Sequence, residues 1–393
     1  MSIIINNKLP VLVLSGHTIA LGVVRSLGSN GVPVYLVSYD KKDMAQKSRY
    51  LKGSFVLPHP EKNTEDFIAG LLKIGEQIGR AIIFPADDPT LVTLSQNLES
   101  LKTKFIVPTP DWSIIKKVIN KDITYSIAEE VDVPIPKTFL LDKTVTVSSD
   151  LIKDFRFPCL IKPVQSHTYY DVFKTKMAVV NNITELELNF NECKKYNIDV
   201  TVQEIIVGET CQGLNFNSLF YNGKIKQGFT AYKVRMTDSD YGIPVVVRSR
   251  EMIKELWEYS EKLLGKIGYE GYSCIEYKFD KRDGLYKLLE VNGRYNRSSL
   301  LSVKTGINFP WIQYNYLVNN KDFIHRDYKK NYYYVDEFKD IQVNIKSVLT
   351  GKQNIIKFLK PYFSKNVLAI FSVKDPNPFI KHVLDAIKLL FKF

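Results

Sequence analysis

Apolar runs and polar breaks divide the first hundred residues into alternating strands and helices. Pro10–Leu14 is a short buried-type run, Gly16–Leu27 carries a helical period ended by Gly28, and Val32–Val37 is a second apolar run. A helix over Thr64–Gln77, a strand over Ala81–Phe84, a helix over Pro89–Leu101 and a strand over Phe105–Val107 continue the pattern. Such alternation predicts an α/β fold, a parallel sheet with helices on both faces. After Pro108–Pro110 a new unit opens with helices over Asp111–Ile119 and Lys121–Glu130, then the stiff connector Val133–Pro136. Strands follow at Phe157–Pro163, Met177–Val180 and Val200–Val207, with a helix over Thr184–Lys195. Leu214–Phe220 and Lys224–Lys233 form a hairpin about Asn222–Gly223, and Met252–Gly265 is an amphipathic helix. Val303–Asn319 is helical around a break at Gly306 and Pro310. Beyond residue 320 the pattern is basic, aromatic and less regular until the amphipathic helix Pro378–Phe393.

A second hairpin, Tyr272–Phe279 and Leu285–Val291 with a turn at Asp283–Gly284, carries the densest chemistry. Ile275, Tyr277 and Phe279 alternate with Cys274, Glu276 and Lys278, while Glu290 and Asn292 share one face. Pairing Asp280 with Tyr286 sets Glu276 opposite Glu290. Facing carboxylates repel unless a cation sits between them. Two Glu and an Asn supply the oxygen donors that suit Mg²⁺, and Arg294 adds a clamp for phosphate or carboxylate. A solvated face with ordinary charges is the competing reading.

Three other positions stand out. Lys162 lies in the apolar strand FPCLIKP, where a lysine needs a partner or a ligand unless it snorkels from a sheet edge. Pro85–Pro89, PADDP, ends a strand where open α/β sheets bind ligands; alternatively Asp88 caps a helix with Pro89 at its first position. Ser15–Gly16 could hold an anion, but SGHTIALG is not GxGxxG, so no dinucleotide is expected.

The 393 residues suffice for two or three domains, and 45% hydrophobic with 24% charged content is that of a globular protein. A net charge of +12 on lysines scattered over the chain suits anionic small substrates or an anionic surface, and no nucleic-acid motif appears. Cys159, Cys193, Cys211 and Cys274 form no CxxC pair, which favours reduced thiols and a cytoplasmic protein. The apolar N-terminus lacks a basic segment and is broken by Pro10, Gly16 and His17, so it reads as a strand.

Taken in order, Lys121, Lys162 in FPCLIKP, Gln203-Glu204-Ile205-Ile206, Glu276 and Glu290-Val291-Asn292-Gly293-Arg294 resemble the ATP-grasp superfamily. The resemblance lies with its carboxylate–amine ligase-like branch, of the carbamoyl-phosphate synthase and D-alanine ligase type, and runs from residue 10 to about residue 315. It implies an α+β grasp: a Rossmann-like pre-ATP-grasp domain over 1–110, a two-lobed ATP-grasp domain over 111–320, and a basic extension over 321–393. It also implies roles. Lys121 and Lys162 hold the nucleotide phosphates; Gln203, Glu204, Ile205 and Ile206 lie where adenine is read; Glu204 or Glu209 takes the ribose. Lys233 and Arg235 neutralise the triphosphate or an acyl phosphate, Glu276, Glu290 and Asn292 bind Mg²⁺ (Mn²⁺ as the alternative), and Arg294 meets the transferred phosphate or a substrate carboxylate.

The implied activity is an ATP-dependent carbon–nitrogen ligase that releases ADP and phosphate, with a small carboxylate and an amine as partners and a homodimer as a candidate assembly. Three features depart from the superfamily pattern. The loop Val164–Lys176 has no glycine, so His167, Lys174 and Lys176 would replace backbone donors; Gly293 stands where proline is commoner; and the tail from Asp322 is not shared. They leave room for two other readings. One is an ATP-binding regulatory protein with reduced catalysis. The other is a membrane-surface factor for cell-wall or polysaccharide precursors, attached through the helix Phe379–Phe393.

Overall fold

The computed structural model describes residues 8–141, 144, 147, 155–163, 169, 172, 173, 175, 177–206, 208, 213–237 and 242–390. Two compact units divide them: Met1–Val131 with Thr210–Tyr277 and Glu290–Phe393, and Asp132–Glu209 with Lys278–Leu289.

The first unit begins with a five-stranded parallel sheet in the order β3-β2-β1-β4-β5. Its strands are β1 (Val11–Leu14), β2 (Val34–Ser38), β3 (Leu51–Val56), β4 (Ala81–Pro85) and β5 (Phe105–Ile106). β1 and β4 are wholly buried, as their unbroken apolar runs require. β3, by contrast, alternates half-buried and exposed residues at the sheet edge, and its polar LKGSFV sequence hid it from the apolar pattern. The helices α1 (Thr18–Gly28) and α2 (Thr64–Ile78) follow the expected periods. The expected helix over Pro89–Leu101 is two, α3 (Asp88–Gln96) and α4 (Leu98–Lys102), parted at Asn97. Asp87, not Asp88, caps α3: its carboxylate accepts from the Thr90 amide at 3.0 Å and hydroxyl at 2.6 Å. Above the Ser15–Gly16 turn lies the Asp43 carboxylate, so close that a Cβ on Gly16 would fall 2.0 Å from it. A phosphate there would meet a negative charge.

Helices α5 (Trp112–Ile119) and α6 (Lys121–Glu130) lead out of this layer, and Asn120 caps α6 through the Asp122 and Ile123 amides. The second unit holds a four-stranded sheet, β6-β9-β7-β8, from β6 (Thr138–Leu141), β7 (Cys159–Pro163), β8 (Ala178–Val180) and β9 (Val200–Glu204), with α7 (Ile183–Lys195) on it. A seven-stranded sheet runs β14-β13-β10-β11-β12-β15-β16. Its strands are β10 (Gly213–Tyr221), β11 (Lys224–Met236), β12 (Pro244–Ser249), β13 (Gly271–Asp280), β14 (Leu285–Asn292), β15 (Tyr333–Val335) and β16 (Asn366–Leu368). The tip of the β13–β14 hairpin belongs to the second unit, where Leu288 donates to the Pro134 carbonyl at 2.8 Å. α8 (Lys254–Ile267), α9 (Arg297–Thr305) and α10 (Phe309–Asn319) complete the pre-320 chain.

The tail expected to be irregular is built into the first unit. β15 pairs with β12 and β16 with β15, carrying the sheet onward. α11 (Glu337–Leu349), α12 (Ile355–Phe363) and α13 (Asn377–Leu390) surround these strands. Asp375 is fully buried; it accepts from Arg25 Nε at 2.9 Å, Ser48 Oγ at 2.8 Å and the Arg49 amide at 2.8 Å, tying the tail to α1. The main apolar core likewise mixes residues from α1, β10–β13 and the tail, including Leu21, Phe229, Tyr272 and Ile370. Among the described residues no helix is long and apolar enough to cross a membrane.

Candidate active site

In the first unit the hairpin base gathers charge. Lys233, nearly buried on β11, forms an ion pair with Glu276 of β13. Burial alone would lower the lysine pKa, but the negative charges of Glu276 and then Glu290 raise it, so its ammonium persists. Room for this side chain comes from Gly213, directly beside it, where a Cβ would lie 3.0 Å from Lys233 Cδ.

Glu290 meets Lys121 Nζ at 3.3 Å and accepts from Asn292 Nδ2 at 3.2 Å. Burial pushes the Glu290 carboxyl up, but Lys121, Asn292 and Lys233 outweigh it and hold it below its ordinary range. Lys121 is the first residue of α6, so the Asn120 cap fixes where its side chain starts. Two carboxylates and an amide are therefore brought together with two lysines. The cation expected between the facing glutamates is supplied in this structure by lysine side chains. Among the described residues no three His, Cys, Asp or Glu side chains cluster as a metal site, so any ion here would rely on the Asn oxygen and ligands from elsewhere.

Arg294 forms a two-pronged pair with Asp88 of PADDP, Nε–Oδ1 at 2.9 Å and NH2–Oδ2 at 2.8 Å. Asp87 meanwhile accepts from the Tyr39 hydroxyl at 3.3 Å and lies 3.8 Å from His17 Nε2. His17 Nδ1 accepts from the Ile19 amide, which makes Nε2 the proton-bearing nitrogen of the neutral ring. Burial lowers the His17 pKa to about 4 despite Asp87, so the ring is neutral at pH 7. Next to it is a cavity of about 300 Å³ lined by His17, Arg297, Asp336, Lys339, His382 and Phe338, among others. Arg297 pairs with Asp336; Lys339 has no ion-pair partner among the described residues. The sequence singles out PADDP but not the partners of Asp87 and Asp88, nor this cavity, because those partners lie far along the chain.

Arg235 has a different destiny from its neighbour Lys233. It is buried against Asp340, with Nε–Oδ1 at 2.8 Å and NH2–Oδ2 at 2.6 Å, and donates to the Phe358 carbonyl at 3.1 Å. The guanidinium is spent on the tail helices, which corrects its expected place beside the triphosphate. A register shift in the β11–β12 pairing between Lys233 and Arg235 accompanies this change of surroundings.

In the second unit Lys162 of β7 donates to Gln203 Oε1 on the paired strand β9, and Gln203 Nε2 donates to Thr138 Oγ1 at 2.9 Å. The lysine is thus held within the sheet. Glu204 is buried and accepts from the Arg156 amide at 2.9 Å, with Arg282 at 3.4 Å. Those contacts make Glu204 a fixed part of the strand end and weaken its candidacy for a ribose. Ile205 donates its amide to the Pro158 carbonyl at 3.3 Å, and the Ile206 side chain is buried. His167, Lys174, Lys176 and Glu209 lie outside the described residues, as does Cys211. Cys159, Cys193 and Cys274 are free and buried; burial pushes the first to about 12, the second to about 11 and the third well above its ordinary value, so all stay thiols.

The family model for the carbamoyl-phosphate synthase L chain, ATP binding domain, matches residues 231–315, the stretch that holds Lys233, Glu276, Glu290, Asn292 and Arg294. The chain has an ATP-grasp fold. The D-aspartate ligase of Enterococcus faecium is 27% identical over 314 residues, covering 74% of this chain and 72% of the relative. Among solved structures, the L-amino acid ligase from Bacillus licheniformis aligns with a TM-score of 0.60 at 16% identity, over 79% of this chain and 74% of that one. The biotin carboxylase domain of the Hydrogenobacter thermophilus 2-oxoglutarate carboxylase, a dimer solved with MgADP, aligns with a TM-score of 0.63 at 17% identity, over 82% and 73%. At such identity the structural likenesses establish the fold, and the segment matched by the family model contains the hairpin base.

Proposed function

We propose that the protein is an ATP-dependent ligase that activates a small carboxylic acid as an acyl phosphate and joins it to an amine. The observation that carries this reading is the hairpin base, where Glu276, Glu290, Asn292 and Lys233 of the matched segment meet Lys121 of α6. Oxygen donors of this kind fit Mg²⁺, which keeps open positions for phosphate oxygens and, when bound, would offset charge on the transferring phosphoryl group. Mn²⁺ would accept the same donors. Lys121 and Lys233 supply positive charge of the kind a nucleotide triphosphate requires.

In the reaction a carboxylate oxygen of the acid attacks the γ-phosphorus and the bond to the ADP oxygen breaks. The amine then attacks the acyl carbon, loses a proton to solvent or a base, and phosphate leaves. Arg294, held flat by Asp88, is the group we assign to the acid's carboxylate or the acyl phosphate. The neighbouring cavity, with Arg297, Lys339 and the His17 Nε2–H in its wall, is our candidate seat for a second carboxylate. Aspartate is therefore the first acid to test, D before L, because a D-aspartate ligase is among the relatives. Cytoplasmic location and a homodimer are part of the proposal.

The test is Mg²⁺-dependent ADP release over a panel of amino acids and amines, with hydroxylamine trapping the activated acid. Glu290→Ala is expected to lower the rate roughly 100-fold or more while leaving the fold intact. A rate equal to that of the parent removes the metal assignment; ADP release without a trapped hydroxamate removes the acyl phosphate.

A further inference from the structure

Exposed large apolar side chains are unevenly spread over this molecule. Among the described residues nine are scattered before residue 325, whereas thirteen fall between Ile341 and Ile387. They form stripes. On α12, Ile355, Ile356, Leu359 and Phe363 recur at helical spacing, with Ile356 75% and Phe363 85% exposed. The opposite side of this helix is the one that packs: Phe358 and Pro361 are buried, and Tyr362 Oη reaches Asp340 at 2.8 Å. α13 does the same, seating Phe379 against Phe338 and Phe371 while Ile380, Leu384 and Ile387 stand out. On α11, Ile341, Ile345 and Leu349 make a third stripe. α12 and α13 are thus anchored by one apolar face and α11 by the buried Glu337 and Asp340, and each carries an apolar stripe that stays exposed among the described residues.

Charge accompanies the stripes. Residues 341–390 contain eight lysines against Asp375 and Asp385, so half of the net charge of +12 sits there although lysines occur along the whole chain. Asp375 is buried on Arg25 and Asp385 pairs with Lys381, while Lys346, Lys357 and Lys360 form no ion pair among the described residues. A symmetric contact with a second copy would bring these lysines against themselves. An anionic lipid surface instead accepts both halves of the pattern, lysines to headgroups and Ile, Leu and Phe to the acyl boundary.

We propose that α11, α12 and α13 form a peripheral docking face for an anionic lipid bilayer. The full chain is expected to pellet with phosphatidylglycerol-containing vesicles and to stay in solution with phosphatidylcholine alone. Lys357→Glu with Lys360→Glu, and separately Ile356→Ser with Phe363→Ser, should each lower vesicle affinity about ten-fold or more. Both pairs are exposed, so melting temperature and ADP release in solution should not move, which separates this face from the ligase assignment. Failure to pellet, or equal pelleting of parent and variants, overturns the proposal. So does a dimer, seen by light scattering without vesicles, that the same substitutions dissolve while vesicle binding is unchanged.

Discussion

Lys233 and Arg235 sit two residues apart on one strand, and sequence alone gives them the same role. Their surroundings do not. Lys233 shares a partly open cluster with Glu276, Glu290, Asn292 and Lys121, where one carboxylate is over a third exposed and the oxygens have room for further ligands. Arg235 faces a fully buried carboxylate, Asp340, with backbone carbonyls and the Phe358 ring closing around it. An ion pair that is left short of ligands is a site; one that is saturated is a fastening.

The largest effect expected from this contrast is on stability. Asp340→Ala leaves the Arg235 guanidinium buried without its partner and should cost about 3–5 kcal/mol in denaturant unfolding. Nucleotide affinity, read by calorimetry on the folded variant, should hold. Lys233→Met is the mirror experiment: it should reduce ADP release by roughly 100-fold, with a smaller stability loss because Glu276 is partly exposed. Were Lys233→Met the more destabilising and Asp340→Ala the less active, the two assignments would exchange places. Gly213→Ala is subtler; its methyl group would press on the Lys233 stem, costing about 1 kcal/mol and slowing turnover without removing any charge.

The smallest expected effect is in acid. Glu290 and Asp280 both titrate below their ordinary values, Asp280 at about 2 because Arg282 outweighs its burial. A carboxylate depressed in the folded state adds stability above its unfolded pKa and loses it as pH falls toward the folded one. Melting temperature should therefore decline between about pH 4 and pH 2. Lys121→Met should flatten the part that belongs to Glu290 and leave the Asp280 part alone.

The sequence made some of this readable. β1, β2, β4 and the second hairpin are legible because apolar runs and strict alternation are local signals, and the Glu290–Asn292 spacing on one strand is a local signal too. β3 was missed because polar residues interrupt its apolar ones at the sheet edge, and β6, β15 and β16 because three or four residues are too short to show a period. Arg235 was misplaced for another reason: its partner is 105 residues away, and no spacing rule connects them. The cap of α3 shows the same limit at short range, since PADDP offers two aspartates and only packing decides that Asp87 turns inward to Thr90 while Asp88 turns to Arg294, 206 residues on.

The last strand of the large sheet also bears on how the protein is made. β12 is flanked on one side by β15, and β15 needs β16, while Asp375 closes onto Arg25 across 350 residues. During synthesis the second unit has all its strands once residue 289 has emerged, so it can fold on the ribosome. The first unit cannot. Its sheet stays open at β12 until residue 368 is out, and α1 waits for Asp375 longer still. Nascent chains arrested between these points should show protease-resistant density for the second unit alone, and any candidate chaperone would meet the first unit with its sheet edge bare.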